Sequence, residues 1–221
     1  MRIALLGGTG DMGAGLALRF GRDTDHTVVV GSREADRARE AAESYTARLA
    51  DRGVEADIEA VENPAAAARS DVVLLAVPAY HLADTIEAVA DDLGEAILVS
   101  PAVGMQRGDD GLGYNPPGVG SVTELAAEAA PEGLPVVGAF HNFAAGRLAD
   151  LDETLGWDLP VVADDADARR RVMDLAGEIE GVRALDAGGL GNAAEVEAVT
   201  PLLINLAANN EGLHDLGVSF R

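Results

Sequence analysis

The opening stretch of the chain constrains the rest of it. Apolar Ile3-Ala4-Leu5-Leu6 run straight into Gly7-Gly8-Thr9-Gly10-Asp11-Met12-Gly13, and Leu16, Ala17 and Phe20 then recur on one side of a helix. The spacing Gly8-x-Gly10-x-x-Gly13, set between a strand and a helix, is the dinucleotide fingerprint. In this reading Gly8 allows the tight turn, Gly10 lets the backbone approach a pyrophosphate, and Gly13 lets the helix pack close to the strand. Unpaired N–H groups and the dipole at the helix start then hold the negative charge. The alternative is a plain strand-to-helix turn that needs small residues. A second apolar strand, Thr27-Val28-Val29-Val30, favours the nucleotide.

The tip of that second strand selects between nicotinamide cofactors. A site for NAD carries Asp or Glu about 20 residues beyond the glycines, to bond the ribose hydroxyls. This chain reads Gly31-Ser32-Arg33, followed by Arg37. A hydroxyl and two guanidinium groups suit a 2′-phosphate, which a carboxylate would repel. The reading is NADP. The competing one makes Arg33 and Arg37 solvated, with Arg37 paired to Glu34.

Further strands are expected over residues 56–61, 71–77, 96–100 and 135–140, with helices over 35–52, 63–69 and 80–93 between them. Such alternation gives an α/β fold, a Rossmann-type doubly wound parallel sheet. Residues 102–120 read as a long irregular loop. Ser121 and Glu124 form a capping box for a helix that runs to about residue 130. From residue 148 the pattern changes to short strands over 159–163 and 182–185, a helix over 166–179, and a long helix over 193–213 that Pro201 should break or kink. The expected division is an NADP-binding domain over 1–147 and a small α/β lobe over 148–221.

Composition removes several chemistries. The 221 residues contain no cysteine and no lysine, and all 16 basic residues are arginine. Disulfides, thiolate nucleophiles, Cys-ligated metals and Schiff bases are therefore out. The formal net charge is −22, which disfavours nucleic acid and anionic membranes as partners. Charge of that size, scattered along the chain, points to a halophilic protein whose self-repulsion is screened by salt. No apolar run approaches a membrane span, and the chain opens in a strand rather than a leader, so the expected place is the cytoplasm. No Ser–His–acid set or metal-ligand spacing is present. His81 and His141 are the titratable candidates, each just after a strand end. Strand ends built of small and apolar residues suit direct hydride transfer, in which the protein positions two rings and excludes water.

Leu5–Gly13, Val29–Arg33, Leu98–Val103, His141–Leu151, Trp157–Val161, Leu185–Gly188 and the Thr200-Pro201-Leu202 region together resemble the coenzyme F420-dependent NADP oxidoreductases. These enzymes pass a hydride between a deazaflavin and NADP. The resemblance runs the length of the chain. It implies that Thr9, Gly10, Asp11 and Met12 line the NADP phosphates, and that Ser32, Arg33 and Arg37 hold the 2′-phosphate. Val77, His81, Val103, Ala145 and Leu216 would lie along the nicotinamide half. Coenzyme F420 would stack against Ser100, Pro101, Ala102 and His141, with no catalytic side chain and no metal. Arg107 and Arg147, in two nearby loops, are candidates to meet its anionic tail; the other reading leaves them as surface charges. The family commonly has Pro soon after the histidine, where this chain has Asn142-Phe143-Ala144. A homodimer is expected, and the acidity marks a salt-adapted archaeal version. Two other functions stay open: an NADP-dependent reductase of a small imine or carbonyl, with Tyr80 or a histidine as proton donor, and a non-catalytic NADP sensor.

Overall fold

The computed structural model describes residues 1–221. The first half alternates β1 (Arg2–Leu6), α1 (Asp11–Asp23), β2 (Thr27–Ser32), α2 (Ala35–Ala50), β3 (Ile58–Glu62), α3 (Asn63–Ala67), β4 (Val72–Leu75), α4 (Leu82–Glu87) and β5 (Ile97–Ser100). There follow β6 (Met105–Gly108), β7 (Gly111–Tyr114), α5 (Val122–Ala129), β8 (Val136–Gly138) and α6 (Ala145–Ala149). The remainder is β9 (Trp157–Val161), α7 (Ala166–Gly177), β10 (Val182–Asp186), α8 (Ala193–Glu197) and α9 (Val199–Asn209).

Six strands form one sheet in the order β3-β2-β1-β4-β5-β8, every pair parallel. Period-two geometry sends successive side chains to opposite faces. Ile3, Leu5, Val28, Val30, Val72 and Leu74 join a core with α1, α2, α6 and α7. Ala4, Leu6, Val29, Val73 and Leu75 join a second core with α3, α4 and α5. Both faces are covered, which is why these strands read as unbroken apolar runs. The chain winds outward from β1 to β3, then crosses back to β4. The ends of β1 and β4 therefore bound the switch point where ligands bind in such sheets.

The second half is not separated from the first by a gap in the core. Trp157, Leu159, Val161 and Leu175 belong to the same cluster as Ile3 and Phe20. Parallel β9 and β10 meet the edge of the main sheet through an antiparallel bridge between Gly138 and Val162. Arg19 of α1 is fully buried and ties the two halves. Its guanidinium donates to the carbonyls of Leu148 at 2.9 Å, Arg147 at 2.9 Å and Glu153 at 3.0 Å. The Arg147 and Leu148 carbonyls are in the last turn of short α6, which leaves them free.

Three local expectations need correction. Residues 102–120 are not irregular throughout, because β6 and β7 form an antiparallel hairpin. Asp109-Asp110 turn it, and Gly111 takes the positive φ of 120° that closes it. The helix expected over 80–93 is shorter, with α4 flanked by short helical turns at Ala79–His81 and Ala90–Asp92. The long C-terminal helix is two helices that meet at Ala198. Pro201 sits in the first turn of α9, where its missing N–H costs nothing.

Candidate active site

The glycine-rich turn is built as its spacing implied, with one exchange of roles. Gly7, not Gly8, takes the positive φ, at 78°. A β-carbon on Gly8 would lie 2.8 Å from the Leu5 carbonyl oxygen, so Gly8 is needed for close approach instead. One on Gly13 would lie 2.5 Å from the Gly8 Cα, which is the contact of helix on turn. At Gly10 the nearest atom is 3.6 Å away, so that side of the turn is open. Helix α1 has no side-chain cap, and its first backbone bond runs from Ala14 N–H to Gly10 O at 2.8 Å. The amides of Asp11 and Met12 are left free at the positive end of the helix dipole. Tyr45 of α2, which sequence reasoning missed, donates its hydroxyl to the Gly8 carbonyl at 2.9 Å. Burial raises its pKa and keeps it a donor.

A cleft of about 440 Å³ opens from this turn. Thr9, Gly10, Ser32, Arg33 and Arg37 line one part, and Val77 and His81 another. The cleft thus brings together Thr9 and Gly10, two of the four residues expected at the phosphates, with Ser32, Arg33 and Arg37, whereas Asp11 lines neither this cleft nor the cavity on the other side of the turn. Arg33 makes no ion pair. Arg37 pairs with Glu34 at 3.3 Å, both side chains about two-thirds exposed (66% and 64%). Such a pair is worth about 0–1 kcal/mol and yields readily to a phosphate. His81 is exposed and packs on Tyr80, the ring centroids 4.4 Å apart and the planes tilted by 53°.

A second cavity, of about 620 Å³, lies on the other side of the same turn. Met12 lines it, together with Pro101, Val103, His141, Ala145 and Leu216. Leu203, Ile204 and Ala207 of α9 make the opposite wall. The nicotinamide and deazaflavin residues expected from sequence therefore divide. Val103, Ala145, Leu216, Pro101 and His141 share this cavity, whereas Val77 and His81 border the cleft. Ser100, the last residue of β5, and Ala102, which joins the second core, are buried and do not line the cavity. Arg107 faces a separate polar hollow beside Asp109, Asp110 and Asn205. Arg147 pairs with Glu153 at 3.3 Å. Neither arginine lines the cavity.

The wall at the end of β8 is held from several directions. Phe140 adopts φ of 67°, a strained value for a side chain of its size. Its ring is fixed edge-on between Phe20 at 6.2 Å and Phe143 at 5.6 Å, and Phe143 packs on Trp157 at 5.3 Å. Phe143 thus occupies the departure from the family pattern as an anchor. His141 is buried, its Nε2 3.2 Å from Thr123 Oγ1 and its carbonyl accepting from Thr200 Oγ1 at 2.7 Å. Burial pushes its pKa down to about 3, so the ring is neutral. Glu197 of α8 accepts from Thr123 Oγ1 at 2.9 Å, from Tyr114 at 3.0 Å and from the Val122 and Thr123 amides at the start of α5. Burial raises the Glu197 pKa, and those donors oppose the rise. Asn205 of α9 exchanges two hydrogen bonds with Leu112, which fixes the hairpin that carries Met105 to the cavity.

The family model "NADP oxidoreductase coenzyme F420-dependent" matches residues 2–104. An F420-dependent NADP reductase of Methanocaldococcus jannaschii is 41% identical over 93% of this chain and 92% of its own. That of Methanothermobacter thermautotrophicus is 39% identical over 95% of this chain and 90% of its own. A solved structure from Arthrobacter sp. FB24, provisionally named an F420-dependent NADP-reductase, shares the fold. Its TM-score is 0.81 at 23% identity, and the match covers 100% of this chain and 99% of that one. On the extent and identity of its curated relatives, the chain belongs to the coenzyme F420-dependent NADP oxidoreductase family.

Proposed function

We propose that this protein transfers a hydride reversibly between NADP(H) and coenzyme F420, whose two rings meet in the cavity of about 620 Å³. One observation carries the reading. A single turn presents Thr9 and Gly10 to a polar cleft and Met12 to an apolar cavity. A dinucleotide laid across it has its phosphates on free amides and its nicotinamide in the dry half. The residues fit the cofactor: Gly10 leaves the turn open, and Arg33 is free of any acid. The volume and lining of the cavity are those of a site for a flat organic ring.

The two ligands supply the chemistry, a hydride donor carbon on one ring and an acceptor carbon on the other. The chain supplies position. Val103 and Ala145 face the α9 wall across the cavity, and the neutral His141 brings no charge into it. Holding two rings at about 3–3.5 Å in such a cleft accounts for roughly 7–11 kcal/mol of barrier reduction. A carbonyl or imine reductase needs a proton donor beside its substrate. His141 is neutral with Nε2 tied to Thr123, and Tyr80 lies outside the cavity lining.

The finer assignments belong to the same proposal. Residues 148–221 complete the deazaflavin side and supply a homodimer interface, supported by exposed Leu202 and Leu206 on α9, neither of which lines the cavity. The surface is salt-adapted, supported by the charge of −22. Val103→Trp tests the site by filling the meeting point of the rings. Hydride transfer should be abolished while the protein stays folded and still binds adenosine 2′,5′-bisphosphate. Transfer at the wild-type rate would remove the rings from this cavity.

A further inference from the structure

Asn63 lies in the NADP cleft with nothing in the protein to bond. It follows β3, whose last pairs with β2 are Val61 with Gly31 and Glu62 with Ser32. One step beyond that ladder, Asn63 stands level with Arg33. Its side chain is 9% exposed, and its Oδ1 is sealed from solvent with no hydrogen-bond partner. Nδ2 donates to no protein group. Space for the amide comes from Gly31, where a β-carbon would lie 2.8 Å from Asn63 Oδ1. Gly31 is itself fixed to the glycine-rich turn, since its carbonyl accepts from Gly8 N–H at 3.0 Å. The sequence therefore gives up a side chain at 31 to seat an amide that no protein group satisfies. Oδ1 stays packed against Gly31 and fixes the plane of the amide, so Nδ2, which donates to no protein group, is the atom that a ligand in the cleft can pair.

The surroundings say which partner. With Oδ1 turned in against Gly31, Nδ2 is the polar atom left to the cleft, which Ser32, Arg33 and Arg37 also line, with the Glu34 carboxylate drawn onto Arg37. A hydroxyl, two guanidiniums and an amide N–H are all donors, and together they suit a phosphate monoester. We infer that Asn63 is a specificity-determining residue that donates from Nδ2 to the 2′-phosphate of NADP. The two arginines supply charge from flexible, exposed positions. Asn63 supplies direction, because its side chain is packed in place before the nucleotide arrives. The inference rests on the NADP reading above, but not on the identity of the hydride acceptor.

The test is calorimetric, at fixed salt, on wild type and Asn63→Ala with four probes: NADP, NAD, adenosine 2′,5′-bisphosphate and AMP. Asn63→Ala should weaken the two 2′-phosphorylated probes roughly tenfold or more, as for a hydrogen bond to a charged group, and leave NAD and AMP within about twofold. Asn63→Asp should weaken the phosphorylated pair further, by like-charge repulsion. Nitrogen-edited NMR of the wild type gives a readout that needs no variant. The Asn63 side-chain amide should shift with adenosine 2′,5′-bisphosphate and stay put with AMP. Equal losses for phosphorylated and unphosphorylated probes would put Asn63 on the adenine or ribose and overturn the inference, as would unchanged affinities. Absence of hydride transfer to coenzyme F420, with these binding differences intact, would overturn the enzymatic reading alone.

Discussion

Gly217 lies flat on the indole of Trp157, so close that a β-carbon at 217 would sit 2.1 Å from Nε1. The neighbour of this glycine, Leu216, lines the cavity, and the neighbour of Trp157, Asp158, accepts the Phe220 N–H. The final segment is thus laid against the start of β9 and carried past the cavity mouth. Gly217→Ala should lift it. Overpacking of this kind costs about 1–3 kcal/mol, and the wall formed by residues 213–216 should loosen with it. Steady-state kinetics should show KM for coenzyme F420 rising several-fold, with adenosine 2′,5′-bisphosphate affinity unchanged. Unchanged kinetics would detach the segment from the site.

Arg33 bears on the cofactor choice. Arg33→Asp puts a carboxylate where a 2′-phosphate is expected. Affinity for NADP should fall by roughly one to two orders of magnitude, the range for losing a charge-assisted hydrogen bond, while NAD is little affected. Equal losses for both dinucleotides would remove Arg33 from the 2′-phosphate site.

Much of this was legible before any coordinates. Glycine spacing and apolar runs each record a local backbone requirement, so Gly13 and Val72–Leu75 could be read directly. Side-chain direction within a strand-end loop was not legible. Ser100 and Ala102 alternate with Pro101 and Val103, which line the cavity, yet are themselves buried in the protein. Tyr45, Phe140 and the place in the cleft of Asn63, which the sequence reads only as the cap of the helix before Pro64, were missed for a different reason. Each matters through a contact with a distant segment or an unusual φ, and neither leaves a pattern in neighbouring residues. The β6–β7 hairpin had one signal, Asp110-Gly111, that a loop reading of the whole stretch passed over.

Asp158 gives a pH signature. Arg183 donates to its buried carboxylate at 2.7 Å and 2.6 Å, and these bonds, with the Phe220 N–H, hold its pKa below the usual value. A depressed carboxylate contributes stability in full above the unfolded value of about 3.9 and loses it as pH falls through the lower folded value. Asp158→Asn should therefore melt below wild type at neutral pH, and the gap should close below about pH 4. A gap constant across that range would show that the ion pair carries no net stability.

The acidic surface bears on salt. Raising salt from about 0.1 M to about 1 M shortens the Debye length from about 10 Å to about 3 Å. With a formal charge of −22, the melting temperature and activity should both rise over that interval. A flat or falling melting temperature would argue against a salt-adapted surface.

The central claim is direct transfer between two rings in one dry cavity, and deuterium tests it most directly. The purified protein is given coenzyme F420 and, in separate runs, each of the two NADPH epimers deuterated at the nicotinamide C4. One epimer should deliver its deuterium to the deazaflavin ring and none to water, and the other should deliver only hydrogen. Deuterium recovered in water, or no reduction of coenzyme F420 by a protein that binds NADPH, would contradict the account.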